Sequence, residues 1–312
     1  MSTSPLVIGT RGSALALQQT EYVAAKLRAM APGIDLHVLK IRTQGDRVRD
    51  RALSQIQGSG FFVKEIENAL LVREVDLAVH SLKDVPTELS DGLVLGAILE
   101  RADPRDALLL HDGSGDLQTL RKRARVGTSS LRRRAQLLAA RPDLEIGDLR
   151  GNVDTRLRKL RAGEYDAIVL AVAGLIRLGL QGQITQWFPL ELMLPAPGQG
   201  ALAVECRACD AATLAIVQCL HHDPTWAAVT AERAFLQGLG SGCAAPVAAY
   251  AAEESRGGEN RLRLQGLVAS LDGQQVVRVD GKGSPEEPDR LGHDLALEAL
   301  SNGASRILEA IR

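Results

Sequence analysis

The chain opens on an apolar, β-branched run, "LVIGT", that breaks at a Gly-Thr turn and a serine. It continues as "ALALQQTEYVAAKL", whose apolar positions recur at helical spacing, so the serine is a candidate N-cap. "APGIDLHVLKIRTQGDR" then predicts a turn and a second strand. From residue 125 the same plan returns in "RVGTSSLRRRAQLLAARPDLEIGDLRGNVDTR", again opening on Gly-Thr with a serine close behind. Likewise "FFVKEIENALLVREVDLAVHSLKDV" matches "RLRKLRAGEYDAIVLAVAGLIRL": each is a helix, a short turn ending in Asp, and a buried strand. Strands alternating with helices predict two parallel α/β domains. The longest apolar run, "AIVLAVAGLI", is read as a buried strand with its continuation and is too short to span a bilayer.

The pattern breaks at "ERADPRDALLLHDGSGD" and again at "LPAPGQGALAVECR", a segment suited to crossing between halves. "GQGALA" fits GxGxxA, but no clear strand precedes it, which argues against a dinucleotide loop. A helix is predicted over 226–238, then a glycine-rich loop with Cys243, then a hairpin about Asp272-Gly273 and a closing helix. The expected organisation is an α/β domain over 1–100 completed by 200–218, a second over 101–199, and a small α+β domain over 219–312.

Composition narrows the partners. The 312 residues are 45% hydrophobic and 24% charged, as in a soluble globular protein. Four unevenly spaced cysteines fit a reducing compartment, and the amino terminus shows no signal-peptide pattern, so the expected location is the cytoplasm. Lys+Arg number 37 against 38 Asp+Glu, yet between Arg121 and Arg161 there are thirteen basic and four acidic residues. Aromatic content of 3% leaves few platforms for bases, which argues against nucleic acid. A focused cationic site suits a small polycarboxylate or phosphate; a solvated helix face is the other reading.

Open α/β sheets bind ligands at the carboxyl ends of their strands, and paired domains place a cleft there. Arg11, Arg132 and Arg133 lie in or beside the two Gly-Thr turns, Arg150 at a strand end, Arg156 in the first turn of the next helix, and Arg177 after a buried strand. Asp84 directly follows another buried strand; it is either an ion-pair or capping residue, or a carboxylate aimed at developing positive charge. His80 and Lys83 share that segment, and His80 has a plain reading as a hydrogen-bonded strand-end residue. Cys243, preceded by glycines at 240 and 242, is either a small buried hydrophobe or a reactive thiolate. Cys206 and Cys209 form a CxxC without a second ligand pair, and His221-His222-Asp223 is read as a helix cap, so no metal is expected.

The segments "GTRGSALALQQ", "HSLKDVPT", "GTSSLRRRAQL", "LRGNVDTRLRKL", "DAIVLAVAGLIRLG", "LPAPGQGALAVECR" and the Gly-Cys loop occur in order. Together they closely resemble the hydroxymethylbilane synthase, or porphobilinogen deaminase, family over nearly the whole chain. The resemblance implies a deaminating head-to-tail condensation of four porphobilinogen molecules into hydroxymethylbilane. It implies a dipyrromethane cofactor in thioether linkage to Cys243 and a catalytic carboxylate at Asp84. It further implies Ser13, Ser81, Lys83, Asp84, Thr128, Ser130, Arg132, Arg133, Arg150, Asn152, Arg156 and Gln199 around the cofactor. Arg11, Ser13, Phe62, Arg150, Arg156 and Arg177 are implied for substrate, and the enzyme is expected to be a monomer free of membrane and nucleic acid. One departure stands out: Gln55 and Ser59 occupy positions where the family commonly has loop lysines. The competing reading is a non-catalytic two-domain anion-binding module of the solute-binding kind, whose duplicated α/β halves close on an anion.

Overall fold

A computed structural model describes residues 5–43, 63–240, 245–256 and 259–311. Gln55, Ser59, Phe62 and Cys243 lie outside the described residues. The chain divides into two compact units, residues 1–102 with 201–226, and residues 103–200 with 227–312.

In the first unit, β1 (Leu6–Arg11) pairs in parallel with β2 (Leu36–Ile41) and β3 (Leu77–Ser81). Between β1 and β2 runs α1 (Ala14–Met30), started by Ser13, whose hydroxyl accepts from the Ala16 N–H at 3.2 Å. Its buried residues Val23, Ala24 and Leu27 pack on Ile8, Leu77 and Val79. The alternate residue of β3, Ala78, faces the other way, where α2 (Lys64–Leu71) covers it with Ile66, Ala69 and Leu70. β4 (Leu93–Ile98) and β10 (Leu202–Arg207) complete the sheet, in the order β2-β1-β3-β10-β4.

The second unit repeats this topology. β5 (Asp106–Leu110), β6 (Arg125–Gly127), β7 (Glu145–Gly147), β8 (Ala167–Ala171) and β9 (Gln186–Trp187) form a sheet in the order β7-β6-β8-β5-β9. α3 (Leu131–Ala140) and α4 (Val153–Arg161) are its crossovers. Neither sheet is wholly parallel, which corrects the expectation from the alternating pattern. β10 runs antiparallel to both β3 and β4, and β5 antiparallel to both β8 and β9. Alternation reports the βαβ crossovers but is blind to a strand supplied from elsewhere in the chain. The apolar run at 167–176 also resolves differently: it is β8 as far as Ala171 and then α5 (Val172–Arg177). The five-residue partner β5 begins opposite Ala171, and the pairing reaches no further than the Val172 N–H donating to the Arg105 carbonyl at 3.0 Å.

α7 (Asp223–Gly238), β11 (Val247–Arg256), β12 (Glu259–Ala269), β13 (Val276–Gly283) and α8 (Pro288–Ala299) build the carboxyl-terminal part, with α6 (Ala211–Val217) preceding it in the first unit. The strands form an antiparallel sheet, β11-β12-β13. The predicted hairpin stands, with Gly273 at φ +72° and the Asp272 carboxylate accepting from the Gln274 N–H at 3.1 Å. Phe235 of α7 is fully buried among Val247, Leu262, Leu264 and Leu295, and its ring fills the space above Gly266. Phe235→Ala is expected to cost about 3–5 kcal/mol, the usual range for emptying such a site. Urea unfolding would measure it, and a loss under about 1 kcal/mol would show that this ring does not anchor the core.

Candidate functional site

In the first unit, β1 and β3 are parallel neighbours, so the turns leaving them emerge at one sheet edge. The β1 turn carries Arg11 and Ser13; the short 3-10 turn Leu82–Asp84 after β3 carries Lys83 and Asp84. Arg11, Ser13, Gln19, His80, Ser81 and Asp84 line one open recess. The Asp84 carboxylate is exposed, whereas Ser81 is half-buried and accepts a 2.8 Å hydrogen bond from the Gln19 amide. Behind them His80 Nε2 meets Glu205 Oε2 of β10 at 2.9 Å, with both side chains buried. His80 is thus hydrogen-bonded at the strand end, and the pair ties β10 to the wall of the recess. A carboxylate, a guanidinium and two hydroxyls around one hollow can hold an anionic group while presenting an acceptor to an N–H or a cation.

In the second unit, the turn after β6 carries Thr128 and Ser130. Thr128 Oγ1 accepts from the Ser130 N–H at 3.2 Å, and Ser130 caps α3 by accepting from the Arg133 N–H at 3.4 Å. The next loop, after β7, carries Arg150 and Asn152, and Ser129 Oγ joins the two loops by donating to the Leu149 carbonyl at 3.0 Å. Asn152 precedes α4 without a side-chain cap bond. Arg156 Nε donates to the Gly151 carbonyl at 2.8 Å, and Arg177 Nη2 to the Gly200 carbonyl at 2.7 Å. Arg150, Arg156 and Arg177 are half-buried.

Arg132 and Arg133, which the sequence places beside the turn, share a buried partner. Both are 5% exposed and both grip Asp106, which is fully buried. Arg132 Nη1 lies 2.7 Å from Asp106 Oδ2, and Arg133 Nη2 lies 2.7 Å from Oδ1. Arg134, the third of the run, is exposed and its Nε donates to the Leu271 carbonyl at 3.3 Å. Gln199, also expected near the cofactor, spends its amide on the Pro104 carbonyl at 2.7 Å and on Asp106 Oδ1 at 2.9 Å. Burial pushes the Asp106 carboxyl up, but the charges of Arg132 and Arg133, with their hydrogen bonds, reverse this and hold it below the usual carboxylate range. Two guanidiniums on one carboxylate leave a formal charge of +1 (two positive, one negative) beneath the Thr128–Ser130 turn.

Asp106 is the residue the sequence reading missed. Its signal is visible in "DPRDALLL": an acidic side chain heads a strand whose five residues are all buried. Because β5 is antiparallel, Asp106 pairs with Ala171, so this strand begins at the edge where the parallel strands end.

Burial pushes the Cys206 thiol up to about 11, which keeps it protonated at neutral pH. His222 Nδ1 accepts from the Thr225 N–H at 3.2 Å, capping α7. Among the described residues, no cluster of three or more His, Cys, Asp or Glu could hold a metal ion, and no helix is long and apolar enough to cross a membrane.

Comparison with known proteins adds to this geometry. The family descriptions "Porphobilinogen deaminase, dipyromethane cofactor binding domain" and "Porphobilinogen deaminase, C-terminal domain" match residues 6–215 and 226–301. A porphobilinogen deaminase of Brevibacillus brevis is 51% identical, over 97% of this chain and 96% of the relative. One from Deinococcus radiodurans is 48% identical, over 98% of this chain and 99% of the relative. Among solved structures, the periplasmic aliphatic sulphonate binding protein SsuA from Escherichia coli aligns at a TM-score of 0.40 and 14% identity, over 76% of this chain and 70% of that one.

Proposed function

From the premise that this chain belongs to the porphobilinogen deaminase family, we propose that Asp84 is its catalytic carboxylate and Cys243 the anchor of its cofactor. The reaction is the deaminating head-to-tail condensation of four porphobilinogen molecules into hydroxymethylbilane, a transferase step of tetrapyrrole biosynthesis. The observation that carries the assignment is the shared recess of Asp84, Arg11, Ser13 and Ser81. The dipyrromethane, when bound, supplies a covalently held pyrrole from which the chain is extended.

The residues present fit such a group. Each pyrrole bears an acetate and a propionate, and the second unit buries a surplus positive charge that a carboxylate would neutralise. Arg150, Arg156 and the Thr128 and Ser130 hydroxyls lie on adjoining loops of that edge and are assigned to carboxylates; Asn152 and Lys83 add donors. The family resemblance assigns Arg11, Phe62 and Arg177 to substrate. Asp84 accepts hydrogen bonds from pyrrole N–H groups and stabilises the positive charge that develops as ammonia departs. Its backbone stands on a short turn rooted in a buried strand, which fixes where the carboxylate is delivered.

We further read the chain as a cytoplasmic monomer acting on small molecules alone. Its domains are assigned to 1–100 with 200–218, 101–199, and 219–312, the last carrying Cys243.

Intact mass under denaturing conditions tests the function and the anchor together. The wild type is expected to carry an addition equal to two linked pyrroles, absent from Cys243→Ser, and to gain further single-pyrrole steps with porphobilinogen. A wild type that takes no adduct and forms no product would replace this reading with an anion-binding module.

A further inference from the structure

We infer that Asp106 is a positioning residue, which clamps Arg132 and Arg133 into the arrangement that receives a dipyrromethane carboxylate. The inference rests on the functional reading above and extends it to a residue that reading does not use.

The geometry is that of a clamp with no slack. Oδ1 of Asp106 receives Arg133 Nη2 at 2.7 Å, Arg133 Nε at 3.1 Å and Gln199 Nε2 at 2.9 Å, while Oδ2 receives Arg132 Nη1 at 2.7 Å. Four donors on one carboxylate prevent it from rotating. Each guanidinium is also held by a second acceptor: Arg132 Nη1 donates to the Leu194 carbonyl at 2.7 Å, and Arg133 Nη1 to the Val169 carbonyl at 2.9 Å. Two long side chains of high rotamer entropy are thereby fixed before any ligand arrives.

Stoichiometry separates a clamp from an ordinary ion pair. One arginine would neutralise Asp106, and a second leaves an uncompensated cation in a buried setting, which is unfavourable unless an anion completes it. The location agrees, because both arginines sit in the first turn of α3, directly behind the Ser130 cap. Gln199 acts through the same carboxylate, since its amide goes to Asp106 and the Pro104 carbonyl.

The test is the rate at which the full-length apoprotein acquires the two-pyrrole adduct from porphobilinogen, followed by intact mass, for wild type, Asp106→Asn and Asp106→Glu. Asp106→Asn raises the formal charge of the triad from +1 to +2, so attraction alone would load as fast or faster. Asp106→Glu keeps the charge and displaces it by one methylene. Positioning requires both variants to load at least about tenfold more slowly, one decade corresponding to about 1.4 kcal/mol. Loading of Asp106→Asn at or above the wild-type rate overturns the clamp. If either variant fails to fold, judged by its urea unfolding curve, Gln199→Leu carries the test. It removes one of the four donors without changing charge, and it must slow loading several-fold; a wild-type rate overturns the inference. A wild type that acquires no adduct at all overturns the functional reading instead.

Discussion

Asp84→Asn is expected to lower turnover by about a hundred- to a thousandfold, the usual consequence of removing a preorganised electrostatic partner of a transition state. The substitution keeps the shape of the side chain and removes its charge. Asp84 is exposed at the rim of the recess, at the end of a 3-10 turn, so the fold should barely register the change. Arg11 and the two serines remain to hold carboxylates, so substrate should still bind. The loss should therefore fall on kcat, with KM moving much less. Steady-state kinetics alongside a urea unfolding curve would separate these quantities. A variant with close to full activity would remove Asp84 from the chemistry, and a large drop in stability would make it a structural residue.

The second large effect is expected at the arginines, and the structure divides them. Arg150→Leu should leave a folded protein that cannot complete its cofactor, seen as an unmodified mass after expression. Arg150 is half-buried on the loop after β7, where truncation empties no core. Arg132→Leu should also give an unmodified mass, but with a loss of stability of about 1–3 kcal/mol. It leaves Asp106 paired with Arg133 but removes the guanidinium donor of the buried Oδ2, and a buried acceptor left unmet costs far more than an exposed one. The same two measurements, intact mass and unfolding, thus yield different patterns for two arginines of one cationic segment. A normally loaded Arg150→Leu protein would argue against its contact with the cofactor.

Such a division was invisible in "SSLRRRAQ". Along a helix, successive side chains point about 100° apart, so a run of three arginines cannot serve one purpose. Arg132 and Arg133 turn inward onto Asp106, and Arg134 turns outward. Their partner lies 26 and 27 residues earlier, at the head of a strand. No local pattern links those positions. The His80–Glu205 pair spans 125 residues in the same way: His80 could be read as a strand-end histidine, but its partner could not be named.

Local readings were more durable. Both glycine-threonine turns were legible, as were the serines that cap α1 and α3, the Asp272-Gly273 hairpin, and the strand end that presents Asp84. Each depends on interactions within a few residues: a hydroxyl reaching an N–H three positions on, a glycine at positive φ, or apolar residues in a short period. The ordered set of motifs likewise carried the family, because those motifs are turns and strand ends written contiguously. What the sequence by itself determined was therefore the inventory of turns, caps and strands, and the identity of the side chains delivered at their ends. Tertiary structure alone decided that each sheet admits an antiparallel strand, and so brought Asp106 to the edge where the parallel strands end. It also decided which arginines are spent on a buried carboxylate, because burial and charge pairing depend on residues that meet only when distant segments share one sheet.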